Sequence, residues 1–551
     1  MAAEVGDGKR KMGPYRLAID GGTLSPLFNL LEDVMNRRTF ISQSLVTAGI
    51  VAGVTKSAFA QNNTAVVETA YGKIRGRVLN KVNAFQGIPY GGPTNGANRF
   101  MPPSRPRPWT NVLDTVEWGP EAPQGPHTEI PEVAATIPKT GISEDCLRLN
   151  VWTRNLDRNA KRPVMVWLHG GGFTSGNGSY TMYNGANMAR QHDVVMLSVN
   201  HRLNAFGFLY LPEIGASNAG ILDVVAALEW VRDNIANFGG DPNNVTIMGQ
   251  SGGAGKVSTL MAMPSAKGLF HRAIIQSGAN LAGITKSDAT KTSEALMSKL
   301  GVKTSAELQK TPMEALIQAT LNTQGLALGP VVDEKTLPGA PFDPTAPAIS
   351  ADIPVLIGTT EYEITFFPNT SYDPLDDAAL RASFKQATRA VNNADVEKLV
   401  ETYKKGRPGL TNLDYSLILA SDNFRARVIT QAERKAAQKA PVYLYYFTWQ
   451  SPVREGKLKS FHTLEIPFVL ANVDEAKTMT GTAQNRLALQ DRMSTAWAAF
   501  AKSGNPNHKG LPNWPTFNPK TRSTMVFDNI CKLVNDPNGA ERLALESVRR
   551  A

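Results

Sequence analysis

Cysteine is nearly absent: Cys146 and Cys531 are the only two among 551 residues, far apart and without metal-ligand spacing. A disulfide scaffold, a zinc ribbon and a thioredoxin-like redox motif are thereby excluded. No run reaches the roughly 20 apolar residues that span a bilayer, so no stable membrane span is expected. No internal repeat, low-complexity tract or Ser/Gly linker interrupts residues 61–551, and no dense Lys/Arg cluster occurs. The formal charge is +10, from 58 basic and 48 acidic side chains, and it is spread along the chain. Such a balance alone would invite a polyanion or a membrane surface as partner. Without a basic cluster or a nucleic-acid module, no nucleic-acid partner is expected. The composition, 42% hydrophobic and 19% charged with 46 Gly and 35 Pro, is that of a globular protein.

Near the N-terminus, Arg37-Arg38 precede Thr39-Phe40-Ile41, an apolar stretch over Leu45–Val54, and Ala58-Phe59-Ala60. A charged start, an apolar run of about 7–15 residues and an A-x-A site describe a secretory signal. The paired arginines resemble a twin-arginine (Tat) leader, which implies the twin-arginine export machinery as partner of the precursor. A Sec signal or a buried helix is the alternative. Cleavage is expected near Ala60, with Met35 as a candidate true start. Residues 1–60 are thus read as an N-terminal extension and leader, and 61–551 as a single domain of a bacterial periplasmic or secreted protein.

From about residue 64, short apolar runs alternate with helical patterns. Val164–Leu168, Val194–Val199, Val245–Met248, Ala273–Ile275, Ile353–Ile357 and Val442–Phe447 are runs without inside–outside alternation. That is the pattern of strands covered on both faces in a mostly parallel sheet. Ile221–Phe238 reads as a helix stopped by Gly239-Gly240. The expected class is therefore α/β, with helices on both faces of a large sheet. The Pro-rich stretch 87–142 is expected to form an active-site wall, and 377–440 a helical insertion capping the sheet.

Val245–Met248 runs into Gly249-Gln250-Ser251-Gly252-Gly253. In G-x-S-x-G after a strand, a tight strained turn lifts the serine hydroxyl clear of the sheet, and side chains at the flanking glycines would collide. A plain Gly-rich turn would match by chance. A phosphate loop over 250–257 fails, because Gln250 stands where the first Gly belongs and Val257 where Ser/Thr should bind magnesium. Upstream, Val164–Leu168 leads into His169-Gly170-Gly171-Gly172-Phe173, a loop whose amides can approach a carbonyl oxygen unobstructed. A dinucleotide fingerprint fails there, because the following residues do not read as a helix. Gly171, Gly172 and Gly252 are the candidate oxyanion donors.

These motifs, with Gly87-Ile88-Pro89-Tyr90, Ser143-Glu144-Asp145-Cys146-Leu147-Arg148-Leu149-Asn150-Val151, Asn237-Phe238-Gly239-Gly240-Asp241-Pro242 and Trp497 to Phe500-Ala501 before Gly504-Asn505-Pro506, extend in register over nearly all of 64–530. The sequence resembles the type B carboxylesterases, the cholinesterase-like α/β-hydrolases, in the style of bacterial para-nitrobenzyl esterases. The resemblance implies an α/β-hydrolase fold and a serine carboxylic-ester hydrolase, with no metal and no organic cofactor. The family orders its triad Ser, acid, His. His462 matches the family's H-x-x-E-[IL]-P-[FY]-V segment, and Glu363 lies five residues after Gly358 as the family's acid does. Ser251, Glu363 and His462 are therefore the expected catalytic residues. His508 is read as solvated, and Glu361 and Asp352 as surface carboxylates.

Several positions depart from the family. Gln250 replaces the usual glutamate before the nucleophile and removes a negative charge near the imidazolium. Gly252 replaces the usual Ala, and His201 the usual Tyr; His201 is read as structural. Cys146 lacks the upstream cysteine with which many relatives close a loop, which leaves roughly 110–140 unpinned and Cys146 a buried thiol. Glu144, Asp145, Arg202 and Asp223 are read as internal ion pairs. Ser277 is a candidate hydrogen bonder behind the triad. Phe173, Phe366 and Phe367 are candidates for an acyl or alcohol pocket, with plain core packing as the alternative. The expected substrate is a small to medium apolar or aromatic ester, with a mild preference for anionic ones from the net charge. The alternatives are a catalytically inactive cholinesterase-like binding protein and a lipase, carbamate, pyrethroid or lactone hydrolase.

Overall fold

A computed structural model describes residues 63–550, apart from Thr128 and 389–391. Met35, Arg37-Arg38, the run over 45–54 and Ala58–Ala60 lie outside the described residues. The strands in chain order are β1 (Val67–Thr69), β2 (Gly72–Arg75), β3 (Arg77–Leu79), β4 (Val82–Pro89), β5 (Leu113–Asp114), β6 (Arg148–Thr153) and β7 (Arg162–Leu168). They continue as β8 (Val195–Val199), β9 (Gly240–Gln250), β10 (Arg272–Gln276), β11 (Val355–Thr360), β12 (Val442–Phe447), β13 (Ser523–Phe527) and β14 (Lys532–Asn535). β1, β2 and β5 make a small sheet; the others form one of eleven strands, ordered β14-β13-β12-β11-β10-β9-β7-β8-β6-β4-β3. From β13 to β8 the pairing is parallel, and the flanking strands at both edges are antiparallel.

The apolar runs become central strands because both of their faces are covered. In β7, Val164, Val166 and Leu168 enter one core while Met165 and Trp167 enter the other. The first face is closed by helices α1 (Ala219–Asn234) and α2 (Gly252–Leu260). Ile221, Val224, Leu228 and Val257 carry their apolar stripes onto the sheet. The insertion contributes α3 (Asp377–Thr388), α4 (Asn393–Gly406) and α5 (Asn412–Ala436), and α6 (Asn485–Ser503) covers the second face with Leu489, Met493 and Trp497. The helix expected over 221–238 begins at Ala219, tightens into a 3-10 turn at Ile235–Phe238, and stops at Gly239 with φ +79°. α3 and α4 pack through Leu380, Phe384, Leu399 and Tyr403 into a cluster that the first half of α5 joins with Tyr415, Ile418 and Leu419. The second half of α5 buries Val428, Ile429 and Ala432 against the sheet. α5 thus joins the rest of the insertion to the sheet.

The register places the chemistry at one edge. Leu168 pairs with Gly249, Gln250 with Gln276, and Gln276 with Gly358. The carboxyl ends of β7, β9, β10 and β11 therefore line up where the loops of an open parallel sheet converge. Arg202 and Asp223 form a fully buried bidentate pair, and Arg99 pairs with Glu144. Arg148 pairs with Asp145 on a more exposed site. Glu361 departs from its reading as a surface carboxylate: it is largely buried and bonds Arg407, which also holds Glu541. Cys146 is a free, buried thiol whose pKa burial raises. The loop around 110–140 is pinned after all, by hydrogen bonds. Asn200 Nδ2 donates to Pro120 O at 3.0 Å, Asn204 Nδ2 to Pro123 O at 2.7 Å, and Gly176 N to Gln124 Oε1 at 2.7 Å.

Candidate active site

Ser251 joins β9 to α2 at φ +56° and ψ −122°, a conformation that non-glycine residues rarely hold and that the surrounding backbone must enforce. A Cβ on Gly249 would stand 2.5 Å from the Gly253 carbonyl carbon, and one on Gly253 would stand 2.0 Å from Leu168 O. Only glycine permits that approach. The Ser251 amide donates to Gln276 O at 2.8 Å.

Past β11, Glu363 is fully buried. Its Oε1 accepts from the Thr360 amide at 2.9 Å, and its Oε2 is hydrogen-bonded to His462 Nδ1. The two distant segments meet because the Tyr362 amide donates to Ser460 O at 3.1 Å. His462 and Ser251 line the same cavity, of about 270 Å³, together with Gly171 and Gly172. Gly171 has φ +85° and Gly172 φ +62°, left-handed values that favour glycine. Gly252 opens α2 against Gly172. Among the described residues, no acceptor takes up the amides of Gly171, Gly172 or Gly252. A negative oxygen formed at Ser251 would find these donors uncommitted.

Gln250 is buried on the cavity wall, and its amide Nε2 has no partner among the described residues. Phe366 and Phe367 line the cavity, with ring centroids 5.4 and 6.0 Å from the His462 ring. Phe173 does not line it. Its ring turns onto Phe208 at 5.3 Å and over the Lys256 ammonium, because its backbone leaves the glycine loop on the side of α2. Ser277 is also corrected: its hydroxyl has no hydrogen bond among the described residues, and only its amide is engaged, with Gly358 O at 2.8 Å. What lies against Ser251 there is the next residue's backbone, since a Cβ on Gly278 would meet Ser251 O at 2.0 Å. His201 stacks on His169 at 4.8 Å, buried, with its Nδ1 on Arg202 O. His508 is half-buried on Arg492 O, away from the cavity.

Four features escaped the sequence reading. Phe424 of α5 stands 5.5 Å from the His462 ring. Near Glu363 and His462, Glu465 accepts from Gln276 Nε2 at 3.2 Å; burial and then the charge of Glu363 push its pKa up to about 7. Glu129 brings a carboxylate to the cavity wall, accepting from the Tyr180 hydroxyl at 2.7 Å. Burial opposes its charge, but bonds to His127 and Tyr180 outweigh that and lower its pKa. No lysine or arginine lines the described cavity, so the expected preference for anionic substrates finds a carboxylate where it needs a cation. Lys256, the fourth, is fully buried in α2, where a lysine inside an apolar Gly/Ala/Val stretch was a visible signal. Among the described residues, no group of three or more His, Cys, Asp or Glu is arranged to hold a metal.

The model of the carboxylesterase family matches residues 63–543. The chain is 35% identical over 495 residues to a para-nitrobenzyl esterase of Bacillus subtilis, covering 87% of this chain and 98% of that protein. It is 34% identical over 476 residues to a phenmedipham hydrolase of Pseudarthrobacter oxydans, covering 84% and 94%. A solved carboxylesterase of Geobacillus stearothermophilus superposes with a TM-score of 0.77 at 35% identity, covering 88% of this chain and all of that one.

Proposed function

The chain belongs to the carboxylesterase family and is a serine carboxylic-ester hydrolase of α/β-hydrolase fold, and on that premise we propose that Ser251, Glu363 and His462 are its catalytic triad. His462 removes the Ser251 proton as the hydroxyl oxygen attacks the ester carbonyl, and the carbonyl electrons move onto oxygen. Glu363, bonded to Nδ1, holds the tautomer that leaves Nε2 to act as base and stabilises the imidazolium. The amides of Gly171, Gly172 and Gly252 receive the oxyanion. Collapse expels the alcohol, protonated by His462, and leaves an acyl-enzyme. Water then repeats the sequence and frees the acid.

The observation that carries this reading is the Glu363–His462 bond on one cavity with a strained serine and uncommitted loop amides. The cavity is modest in volume and walled by Phe366, Phe367, Tyr180, Tyr183 and Met182, which suits small to medium apolar or aromatic esters. The relative named para-nitrobenzyl esterase points the same way. Residues 61–551 act as the exported enzyme in this reading, and residues 1–60 as a leader taken by the twin-arginine machinery to the periplasm or beyond. N-terminal sequencing of the secreted protein checks the last point, with Gln61 as the expected first residue.

The catalytic reading is tested by burst release of nitrophenol from a short-chain nitrophenyl ester. Wild type should show one equivalent of burst per site, and Ser251→Ala should abolish both burst and turnover. Retained turnover in a folded Ser251→Ala variant would remove Ser251 from the mechanism.

A further inference from the structure

Lys256 sits five residues beyond the nucleophile on α2, with its side chain wholly buried. Its Nζ donates to the carbonyls of His169 and Gly172, both at 3.0 Å. These are the two ends of the His169–Gly172 loop. The two carbonyls between them are held as well: Gly170 O bonds His169 Nδ1 at 2.9 Å, and Gly171 O accepts from the Ser175 amide at 3.0 Å. In a trans peptide the N–H points opposite to its C=O. With the carbonyls of 170 and 171 held, the amides of Gly171 and Gly172 are fixed in direction and left without an acceptor.

The charge is as informative as the geometry. A buried ammonium is costly to desolvate, and an apolar side chain of the same length would avoid that cost. Among the described residues, no carboxylate pairs with Lys256. The groups facing it are the stacked rings of His169 and His201 and the ring of Phe173, 5.6 Å from Nζ. Both imidazoles are held neutral, first by burial and then by the Lys256 charge. One unneutralised positive charge thus lies directly behind the loop that faces the reacting carbonyl. In a low-dielectric site such a fixed charge acts on developing negative charge far more strongly than it would in water.

We propose that Lys256 is a positioning residue of the ester hydrolysis: its ammonium clamps the His169–Gly172 loop from behind and lends positive potential to the oxyanion formed at Ser251. The proposal rests on the triad reading above. It concerns the transition state and not the resting complex, because the neutral ester carbonyl carries little charge for the clamp to stabilise. Burial pushes the Lys256 pKa down to about 7, so its charge is within reach of an ordinary pH titration.

The test compares the full-length enzyme with Lys256→Met, measuring kcat and KM for nitrophenyl butyrate and the affinity of an alkyl trifluoromethyl ketone. Serine adds to that ketone to give a tetrahedral oxyanion, the serine proton passing to His462. Lys256→Met is expected to lower kcat by about 10- to 100-fold, to leave KM within about twofold, and to weaken the ketone by the same factor as kcat. A folded Lys256→Met enzyme with wild-type kcat and ketone affinity overturns the proposal, as does a change confined to KM or to thermal stability. If the variant does not fold, ketone affinity of the wild type is followed from pH 6 to 9, across the Lys256 pKa, and should fall about tenfold as the ammonium loses its proton. A flat profile overturns the proposal. If Ser251→Ala remains active, the triad reading itself fails; a dead Ser251→Ala beside an unaffected Lys256→Met removes only the clamp.

Discussion

Replacing Gly252 by alanine should cripple the enzyme through a single methyl group. An ideal Cβ at this position falls 2.0 Å from Gly172 O and 2.4 Å from its carbonyl carbon and Cα. All of these atoms are backbone, and Gly172 O is also held by Lys256 at 3.0 Å, so the loop has no flexible side chain with which to yield. Ordinary contact begins at 3.4 Å, so the glycine loop must withdraw by roughly 1.4 Å, taking its amides out of reach of the oxyanion. Loss of one oxyanion donor costs about 2.7–4 kcal/mol, and a misplacement of about 1 Å can cost on the order of 10²-fold. The expected result for Gly252→Ala is therefore a fall in kcat of about 10²-fold with little change in KM. The assay is steady-state hydrolysis of nitrophenyl butyrate, with the nitrophenol burst counting competent sites. Gly255→Ala, three residues along the same helix, is the control. Its Cβ would come within 3.3 Å of the Phe173 ring, a side chain that can turn aside, and into ordinary contact with Asn280 Cβ at 3.9 Å. It should keep wild-type kcat and gain about 0.5–1 kcal/mol of stability from replacing a helix glycine. A Gly252→Ala enzyme within threefold of wild-type kcat would refute the reasoning, since it would show that Gly172 can withdraw without loss of transition-state stabilisation.

Three further outcomes are expected. Gln250→Glu places an anion on the wall of the cavity that His462 also lines, which favours the imidazolium, so the acid limb of kcat/KM should move up by about 1 pH unit; an unchanged profile between about pH 6 and 9 refutes this. Glu129→Gln removes the only carboxylate on the described cavity wall, and the ratio of kcat/KM for an anionic ester over its neutral isostere should rise about fivefold, roughly 1 kcal/mol of repulsion at surface-like dielectric; an unchanged ratio would show that Glu129 does not face bound substrate. Asp223→Ala strands the Arg202 guanidinium, which is 1% exposed and also bonded to Met101 O. It should cost about 3–5 kcal/mol in urea unfolding, whereas a double change to Arg202→Met and Asp223→Leu should cost much less; equal losses would refute the stranded-charge explanation.

The chemistry of this protein is written in short stretches, and the reason is local sterics. A strand, a strained turn and glycines within two residues of Ser251 must be adjacent in the chain, because the backbone of that one turn forces them. The same holds for the strand leading into Gly170-Gly171-Gly172, and for the non-alternating apolar runs that became strands buried on both faces. The strands toward the two ends of the sheet, β3, β4, β6, β13 and β14, are not legible in the same way: they are short or antiparallel, and β14 is mostly exposed, so no long apolar run marks them. Glu363 and His462 were legible only through the family's spacing, since nothing local distinguishes them from Glu361 or His508.

Tertiary structure alone decided which side each side chain takes. Phe173 and Phe366 both follow site motifs directly, yet one turns into the core beneath α2 and the other faces the cavity. Glu129 and Phe424 reach the site from segments whose local patterns carry no sign of it, and Lys256 is marked only by its apolar neighbours in α2. They do so because the parallel register brings the ends of β7, β9, β10 and β11 to one edge, where loops distant in sequence share one small volume. Sequence by itself determined the serine turn and the glycine loop, because both are built from backbone geometry that neighbouring residues enforce. The electrostatics around that apparatus, a carboxylate on one wall and an ammonium behind the glycine loop, arise from contacts between residues far apart in the chain, and only the packed fold sets their distance and burial.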